Sequence, residues 1–359
     1  MFRTHRLELI LALCALACIP ALYFLGRFVK ERIAPHESHP LAGYSEQDPC
    51  PGDSGETSSC WTAYYTAFLA RYPSADALAD LKARYNAGGN AKTFCHPLLH
   101  LIGAKAGKEY GSVAEAYKHA DPFCRAGYYH GVLEGIFGDA QGGGEKLLSQ
   151  LDSICADVPG KSRYSYEYFS CVHGIGHGLM AYFDHDLFKS LDGCTKLSPA
   201  WEQSTCSGGV FMENVISDSP EEPSRFLKSD DPLYPCDAVD AAFRGQCYLM
   251  QTSHILVMYD GDFAKTFSVC RSVEAAYRDI CFQSLGRDAS GYSYSDAASA
   301  AVLCAKGANL GERSNCLIGA AVDYIQSASP DSARALCVLG EEGARVPCVQ
   351  AVEAQLRAL

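Results

Sequence analysis

Two histidine pairs with the same spacing lie in the first half of the chain. His96 and His100 are four residues apart in "CHPLLHLIGAK", and His173 and His177 are four residues apart in "CVHGIGHGLMAY". Residues four apart share one face of an α-helix, so each pair is able to present two imidazoles to one ligand. The same separation lets a helix grip a metal ion with two histidines.

A third histidine lies between these pairs and is followed by a carboxylate. In "HGVLEG", Glu134 comes one helical turn after His130. Imidazole and carboxylate groups suit zinc, copper or iron and need no free thiolate beside them. The sequence therefore predicts a transition-metal site, with Glu134 as a further ligand or a general base. Glu213 is another possible general base, but nothing in the sequence places a substrate near either carboxylate. The predicted metal ligands are His96, His100, His130, His173 and His177.

The positions of the histidines repeat from one predicted helix to the next. When the longer helices are aligned on their opening cysteine, His130 and His177 both stand six positions after it. If histidine merely suited the packing at this position, it would recur in the later helices, and it does not. The alternative is that the rings are internal groups that hydrogen-bond to backbone carbonyls. The later helices carry Met212, Ser253, Arg287, Val322 and Ala354 at this position.

The cysteines that would position these helices are numerous and widely spaced. The chain has 18 cysteines, and it contains no C-x-x-C motif of the kind that zinc ribbons use. An even number beyond the N-terminal apolar segment predicts a disulfide framework, which requires an oxidising compartment. The predicted pairs are Cys50–Cys60, Cys95–Cys124, Cys155–Cys171, Cys194–Cys206, Cys236–Cys247, Cys270–Cys281, Cys304–Cys316 and Cys337–Cys348.

The later cysteine pairs recur with an almost constant period. Cys236, Cys270, Cys304 and Cys337 are separated by 34, 34 and 33 residues. Periods of this size are typical of stacked helical hairpins. Each unit reads as a short helix with an Asp or Ser cap, a connector and a longer helix, closed by one disulfide. Such a short closed loop is worth about 3 kcal/mol in the chain-entropy model. We therefore predict an all-α solenoid of stapled hairpins.

In period and helical-hairpin design, the array resembles the tetratricopeptide and Sel1-like repeats. The resemblance is one of architecture only, because the Trp, Leu-Gly and Tyr pattern of tetratricopeptide repeats is missing here. It implies a solenoid architecture and no particular function. Solenoids in general mostly bind partners, so the array favours a scaffold whose concave face binds a protein or peptide. The resemblance implies no catalytic residues.

The N-terminus carries an apolar run, "LELILALCALACIPALYFLG", that is long enough to span a membrane. We interpret it as an uncleaved signal anchor, with a cleaved signal peptide as the alternative. The chain is then a single-pass membrane protein with its bulk in the periplasm or outside the cell. The predicted organisation is a cytoplasmic tail (1–6), the transmembrane anchor (7–26), a spacer (27–58), histidine-rich repeats (59–216), a loop (217–235) and regular repeats (236–359).

The composition of the chain and the absence of common enzyme motifs exclude several classes of function. A net charge of −12 argues against nucleic acid as a partner. The chain has no G-x-S-x-G elbow, no P-loop and no H-E-x-x-H sequence, so no enzyme class is assigned. Two interpretations remain: a membrane-anchored, extracytoplasmic repeat protein with a histidine metal site, and a metal-free scaffold that binds a protein or peptide.

Overall fold

Every regular element in the described part of the chain is helical, as the sequence predicts. The computed structural model describes residues 49–50, 55–88, 90–124, 126–138, 148–216, 224–293, 296–327 and 329–358. The predicted tail, the predicted anchor and most of the predicted spacer lie outside these ranges. Among the residues that are described, no helix has the length and apolar character needed to cross a membrane.

The first half contains nine described α-helices and one short 3₁₀ turn at Lys161–Arg163. The first helix begins at Gly55, inside the segment predicted as spacer (27–58). Thr57 in its first turn is buried, so this end of the helix belongs to the folded part of the chain. The helices are α1 Gly55–Leu69, α2 Ser74–Ala87, α3 Ala91–Tyr110, α4 Val113–Tyr117, α5 Gly127–Gly138, α6 Leu151–Ile154, α7 Tyr166–Tyr182, α8 Leu187–Cys194 and α9 Ala200–Ile216.

The second half alternates long and short helices. These are α10 Ala241–Met258, α11 Phe263–Ser272, α12 Ala275–Tyr292, α13 Ala297–Cys304, α14 Leu310–Ser327, α15 Pro330–Leu339 and α16 Glu342–Ala358. The described residues of the predicted 217–235 loop form turns and no helix. Gln251 on α10 holds this loop, since its side-chain amide donates to the carbonyl oxygens of Pro232 and Tyr234 at 3.0 and 2.8 Å.

The disulfide framework is confirmed in full. All eight predicted cysteine pairs are bonded, with Cα–Cα separations of 5.4 to 6.2 Å. In the units α8/α9, α11/α12, α13/α14 and α15/α16, the bridge ties the end of the short helix to the first half of the long one. The repeat-like units are thus present, whereas their winding into a solenoid stays a prediction.

Side chains just ahead of the short helices cap them as predicted. Asp186, Asp262 and Asp296 each accept a hydrogen bond from the backbone amide three residues later. Ser329 does the same for Ser332 ahead of α15. Each cap satisfies an amide that the helix itself leaves unpaired and is worth about 1 kcal/mol.

The long helices pack against one another in chain order. Helix α5 lies between α3 and α7, and α7 lies between α5 and α9. Between Tyr168 and Met180, α7 is buried around most of its circumference. A helix buried on all sides must satisfy any polar side chain it carries from within the protein. Two of the predicted metal ligands, His173 and His177, lie in this buried stretch.

Candidate metal centre

Glycines bring the helix backbones around the predicted site almost into contact. A Cβ atom added at Gly131 on α5 would overlap the backbone carbonyl of His100 on α3. A Cβ atom at Gly209 on α9 would overlap the carbonyl of His173 on α7, and one at Gly176 would overlap that of Cys206. These positions therefore accept only glycine without displacing a helix, which accounts for Gly176 in the middle of the "HGIGHG" sequence.

The close approach gathers all five predicted histidines into one cluster. His130 lies at its centre, and its ring is a neighbour of the other four. The distances from its ring centroid are 5.7 Å to His96, 5.4 Å to His100, 4.9 Å to His173 and 4.6 Å to His177. The grouping follows from one H-x-x-x-H pair on α3, one on α7 and His130 on the helix between them.

Three of these histidines are buried and each has a ring nitrogen without a hydrogen-bond partner. The exposed fractions of His130, His173 and His177 are 4%, 4% and 0%. The atoms left without a partner are His130 Nδ1, His173 Nε2 and His177 Nε2. Buried polar atoms almost always have a partner, so three exceptions in one cluster need an explanation.

The other nitrogens of the paired histidines are fixed by acceptors around the cluster. Nδ1 of His96 lies 3.0 Å from the carbonyl oxygen of Cys124. His173 forms a hydrogen bond with the backbone of Thr205, and because its Nε2 has no partner, this bond is assigned to Nδ1. Such contacts place the ring proton on Nδ1 and leave Nε2 as the basic atom.

Carboxylates play the same part for the remaining two rings. Nδ1 of His100 lies 2.6 Å from Glu134 Oε1, and Nδ1 of His177 lies 2.8 Å from Glu213 Oε2. Metal-binding histidines commonly donate Nδ1–H to a carboxylate or carbonyl, which orients the ring and raises the basicity of the opposite nitrogen. All four paired histidines thus have an acceptor at Nδ1 that orients the ring, as metal-binding histidines commonly do.

The Nε2 atoms of His96 and His100 lie 3.1 Å apart on adjacent turns of α3. Two nitrogens bound to one tetrahedral ion at about 2.0–2.1 Å are about 3.3 Å from each other. The pair therefore has nearly the separation of two ligands of one ion.

The pKa shifts differ between His100, which lies beside a carboxylate at the rim of the cluster, and His130 and His173 in its interior. Burial alone would lower the pKa of His100, but the carboxylate of Glu134 outweighs burial and raises it. Burial holds the pKa values of His130 and His173 well below the usual range, and the neighbouring histidines lower them further. The interior rings are thus neutral at pH 7, which is the form that binds metal.

Donor atoms converge in three sets in the described part of the chain, and within each set all of them lie within 4.8 Å of one another. Two sets contain only histidine, and the third combines histidine with the two carboxylates. The sets are His96, His100 and His130; His130, His173 and His177; and His100, Glu134, His177 and Glu213.

Glu213 is the residue whose position at this cluster the sequence did not predict. It stands on α9, one residue after Met212, which occupies the register position where His130 and His177 stand on their own helices. On α3, His100 is shifted from that position by one residue in the opposite direction, because Leu101 occupies it. A search of the neighbouring register positions for carboxylates as well as imidazoles would have found it.

The later helices fill the equivalent position in a different way. Ser253 and Arg287 share the carboxylate of Asp288, with distances of 2.8 Å from the Ser253 hydroxyl and 2.8 Å from the Arg287 guanidinium. His254, the buried histidine outside the cluster, has its Nε2 3.2 Å from the carbonyl oxygen of Lys228. Packing at this level of the repeat is therefore achieved without a histidine cluster.

Comparison of the chain with protein families, with curated proteins and with solved structures finds no match.

Proposed function

We propose that this chain is an extracytoplasmic metal-binding protein whose helices α3, α5 and α7 hold a transition metal through imidazole nitrogens. The observation that carries the proposal is the set of three buried, partnerless ring nitrogens on His130, His173 and His177. Leaving one buried polar group unsatisfied costs about 1–3 kcal/mol. Three such groups in one cluster favour a bound cation over packing alone.

The charge balance around the cluster supports a cation. The interior imidazoles are neutral, so they supply ligands without supplying negative charge. Glu134 and Glu213 lie directly behind His100 and His177, and both carboxylates are partly exposed, by 20% and 14%. They would offset the charge of a divalent ion and give it a polar route from solvent into the buried rings.

The donor types favour zinc, copper or iron. Every cysteine of the described residues is in a disulfide, so the cluster offers nitrogen and oxygen but no thiolate. An ion held by three imidazoles keeps a coordination position open, where zinc activates water and copper or iron exchanges electrons. Glu134 would then serve as the acceptor that orients His100, rather than as a catalytic base.

The cellular setting belongs to the same proposal. Eight disulfides support an oxidising compartment. We assign residues 7–26 as the membrane anchor, with the helical repeats wound into a solenoid in the periplasm or outside the cell. If no metal binds, the alternative is a scaffold whose concave face holds a protein or peptide.

The test is the metal content of the full-length, oxidised chain. The parent is compared with His100→Asn/His177→Asn, which removes one imidazole from each helix pair and keeps a polar side chain next to each carboxylate. His254→Asn is the matched control for a buried histidine outside the cluster. Helical content and a free-thiol count equal to that of the parent establish that each variant is folded.

The proposal requires stoichiometric zinc, copper or iron in the parent and in the His254→Asn control, and its loss from the double variant. A folded parent that carries no metal and takes up neither zinc nor copper on dialysis contradicts it. That result would direct the work to crosslinking for a protein partner.

A further inference from the structure

The cluster is nearly symmetric about helix α5. Helix α3 on one side supplies His96 and His100, and helix α7 on the other side supplies His173 and His177. Each pair converges with His130, and in each set of three the donor atoms lie within 4.8 Å of one another. His130 is the one residue that the two all-histidine sets have in common.

We infer that the cluster holds two transition-metal ions, one in each three-histidine set, and that His130 is the ligand they share. This inference rests on the proposed function and extends it from a metal site to a two-metal centre. An imidazole carries nitrogens on two edges of its ring, so one side chain is able to bind two ions. Binding both requires the ring to release its N–H proton to solvent.

Coordination number favours two ions over one. Zinc takes four ligands in most protein sites, and catalytic sites use three protein ligands with one open position. Five imidazoles around one ion would exceed this number, whereas two sets of three that share His130 give each ion three ligands and one open position.

The His96/His100 pair and the His173/His177 pair present their ring nitrogens in the same manner. On α3, the Nε2 atoms of His96 and His100 face each other at 3.1 Å. On α7, Nε2 of His173 and Nε2 of His177 both lack a hydrogen-bond partner. In both pairs, Nδ1 is occupied by a carbonyl or a carboxylate. Each pair therefore directs two basic nitrogens inward, toward His130.

The mixed set with Glu134 and Glu213 does not define a third ion. Its shortest nitrogen–oxygen distances, 2.6 Å for His100–Glu134 and 2.8 Å for His177–Glu213, are those of charge-assisted hydrogen bonds. Two ligands of one ion at these separations would subtend an angle well below tetrahedral. The carboxylates are therefore assigned as the acceptors that hold the two rings.

The first test counts ions. The full-length oxidised chain is saturated with zinc, passed through a desalting column and analysed for zinc per chain. We expect two ions in the parent, one in His96→Ala/His100→Ala and one in His173→Ala/His177→Ala. An ion retained by a double variant also shows that the variant is folded.

The zinc counts distinguish a failure of the two-ion centre from a failure of the proposed metal-binding function. One ion in the parent that disappears from both double variants overturns the two-ion centre and leaves the proposed function intact. A parent chain that binds no zinc contradicts both the two-ion centre and the proposed metal-binding function.

The second test asks whether His130 is shared. Two Cu²⁺ ions bridged by one imidazolate couple their spins, so the paramagnetic resonance signal of the doubly loaded parent should fall well below two spins per chain. His96→Ala/His100→Ala loaded with one Cu²⁺ should show the full signal of one spin. Two full spins in the doubly loaded parent would overturn the shared ligand.

Discussion

Glu213 Oε2 lies 2.8 Å from Nδ1 of His177, while Nε2 on the opposite edge of the same buried ring has no partner. The carboxylate fixes the proton on Nδ1 and leaves Nε2 basic and directed into the cluster. Glu134 acts on His100 in the same way, at 2.6 Å. The carboxylates thus prepare the rings for a cation without occupying its coordination sphere.

Replacing Glu213 with Gln should weaken metal binding without abolishing it. The amide keeps a hydrogen bond to His177 but removes the negative charge that would offset a bound cation, and loss of such a partner costs about 10–100-fold in affinity. The zinc dissociation constant, measured by competition with a chromogenic chelator, tests this.

Glu312 provides the matched control for that experiment. It is a buried carboxylate outside the cluster, paired with Arg271 at 2.9 Å. Glu312→Gln should therefore bind zinc like the parent. Equal weakening in both variants would show that the effect comes from general destabilisation. Complete loss in Glu213→Gln would make Glu213 a direct ligand.

Replacing Gly209 with Ala should separate helices α7 and α9 and reduce zinc affinity. The new Cβ atom would overlap the carbonyl of His173, and a clash of this kind costs about 1–3 kcal/mol when a helix has to shift. Gly286→Ala is matched in geometry, because its Cβ would overlap the carbonyl of Cys316 between α12 and α14.

Both glycine variants should therefore lower the thermal midpoint, and only Gly209→Ala should also lower zinc affinity. Zinc titration of the two folded variants distinguishes them. Unchanged affinity in Gly209→Ala would mean that the close approach of the helices is not needed for the site.

The metal-free protein should lose stability as the pH falls below about 6.5. His130 and His173 have lowered pKa values in the folded chain, so below about pH 6.5 the unfolded chain binds protons at these rings and the folded chain does not. Their contribution is complete above the unfolded pKa near 6.5 and is lost as the pH falls toward the folded value. The slope is at most about 1.4 kcal/mol per pH unit for each ring.

His100 changes the stability with pH in the opposite direction, and it does so above about pH 6.5. Its pKa is raised, so its contribution is complete below about 6.5 and is lost only as the pH rises through the folded value. Thermal midpoints measured in a chelator should therefore fall as the pH is lowered from 6.5 to 5.5, and His130→Gln/His173→Gln should flatten this fall. Parallel curves for parent and variant would contradict this assignment.

Removing one bridge from the second half should lower stability but leave the metal site unchanged. Cys270→Ser/Cys281→Ser opens a short loop between α11 and α12, which is worth about 3 kcal/mol. The expected result is a lower thermal midpoint with unchanged zinc affinity. A loss of zinc binding in this variant would show that the distant units support the cluster.

The local features of the fold were predictable from the sequence because short-range chemistry determines them. Cysteines 10 to 12 residues apart, such as Cys270 and Cys281, have few alternative partners once the repeat is recognised. Asp and Ser caps identify the starts of the short helices in the same local way. The histidine cluster follows from register, since equal depth on adjacent helices brings side chains together.

Other features depend on tertiary contacts that the sequence does not display. The helix expected to open at Cys124 begins at Gly127, because Cys124 and Ala126 adopt left-handed backbone conformations without being glycine. The carbonyl of Cys124 is thereby left free of the helix and accepts from His96. The contact between Glu213 and His177 likewise exists only because α9 packs on α7.

The most direct test of the metal centre is anomalous diffraction at the zinc edge from crystals of the zinc-loaded, oxidised chain. We expect one anomalous peak about 2.0–2.1 Å from Nε2 of His96 and His100, and a second at the same distance from Nε2 of His173 and His177. Zinc-loaded crystals with these nitrogens resolved and no anomalous peak among them would contradict it.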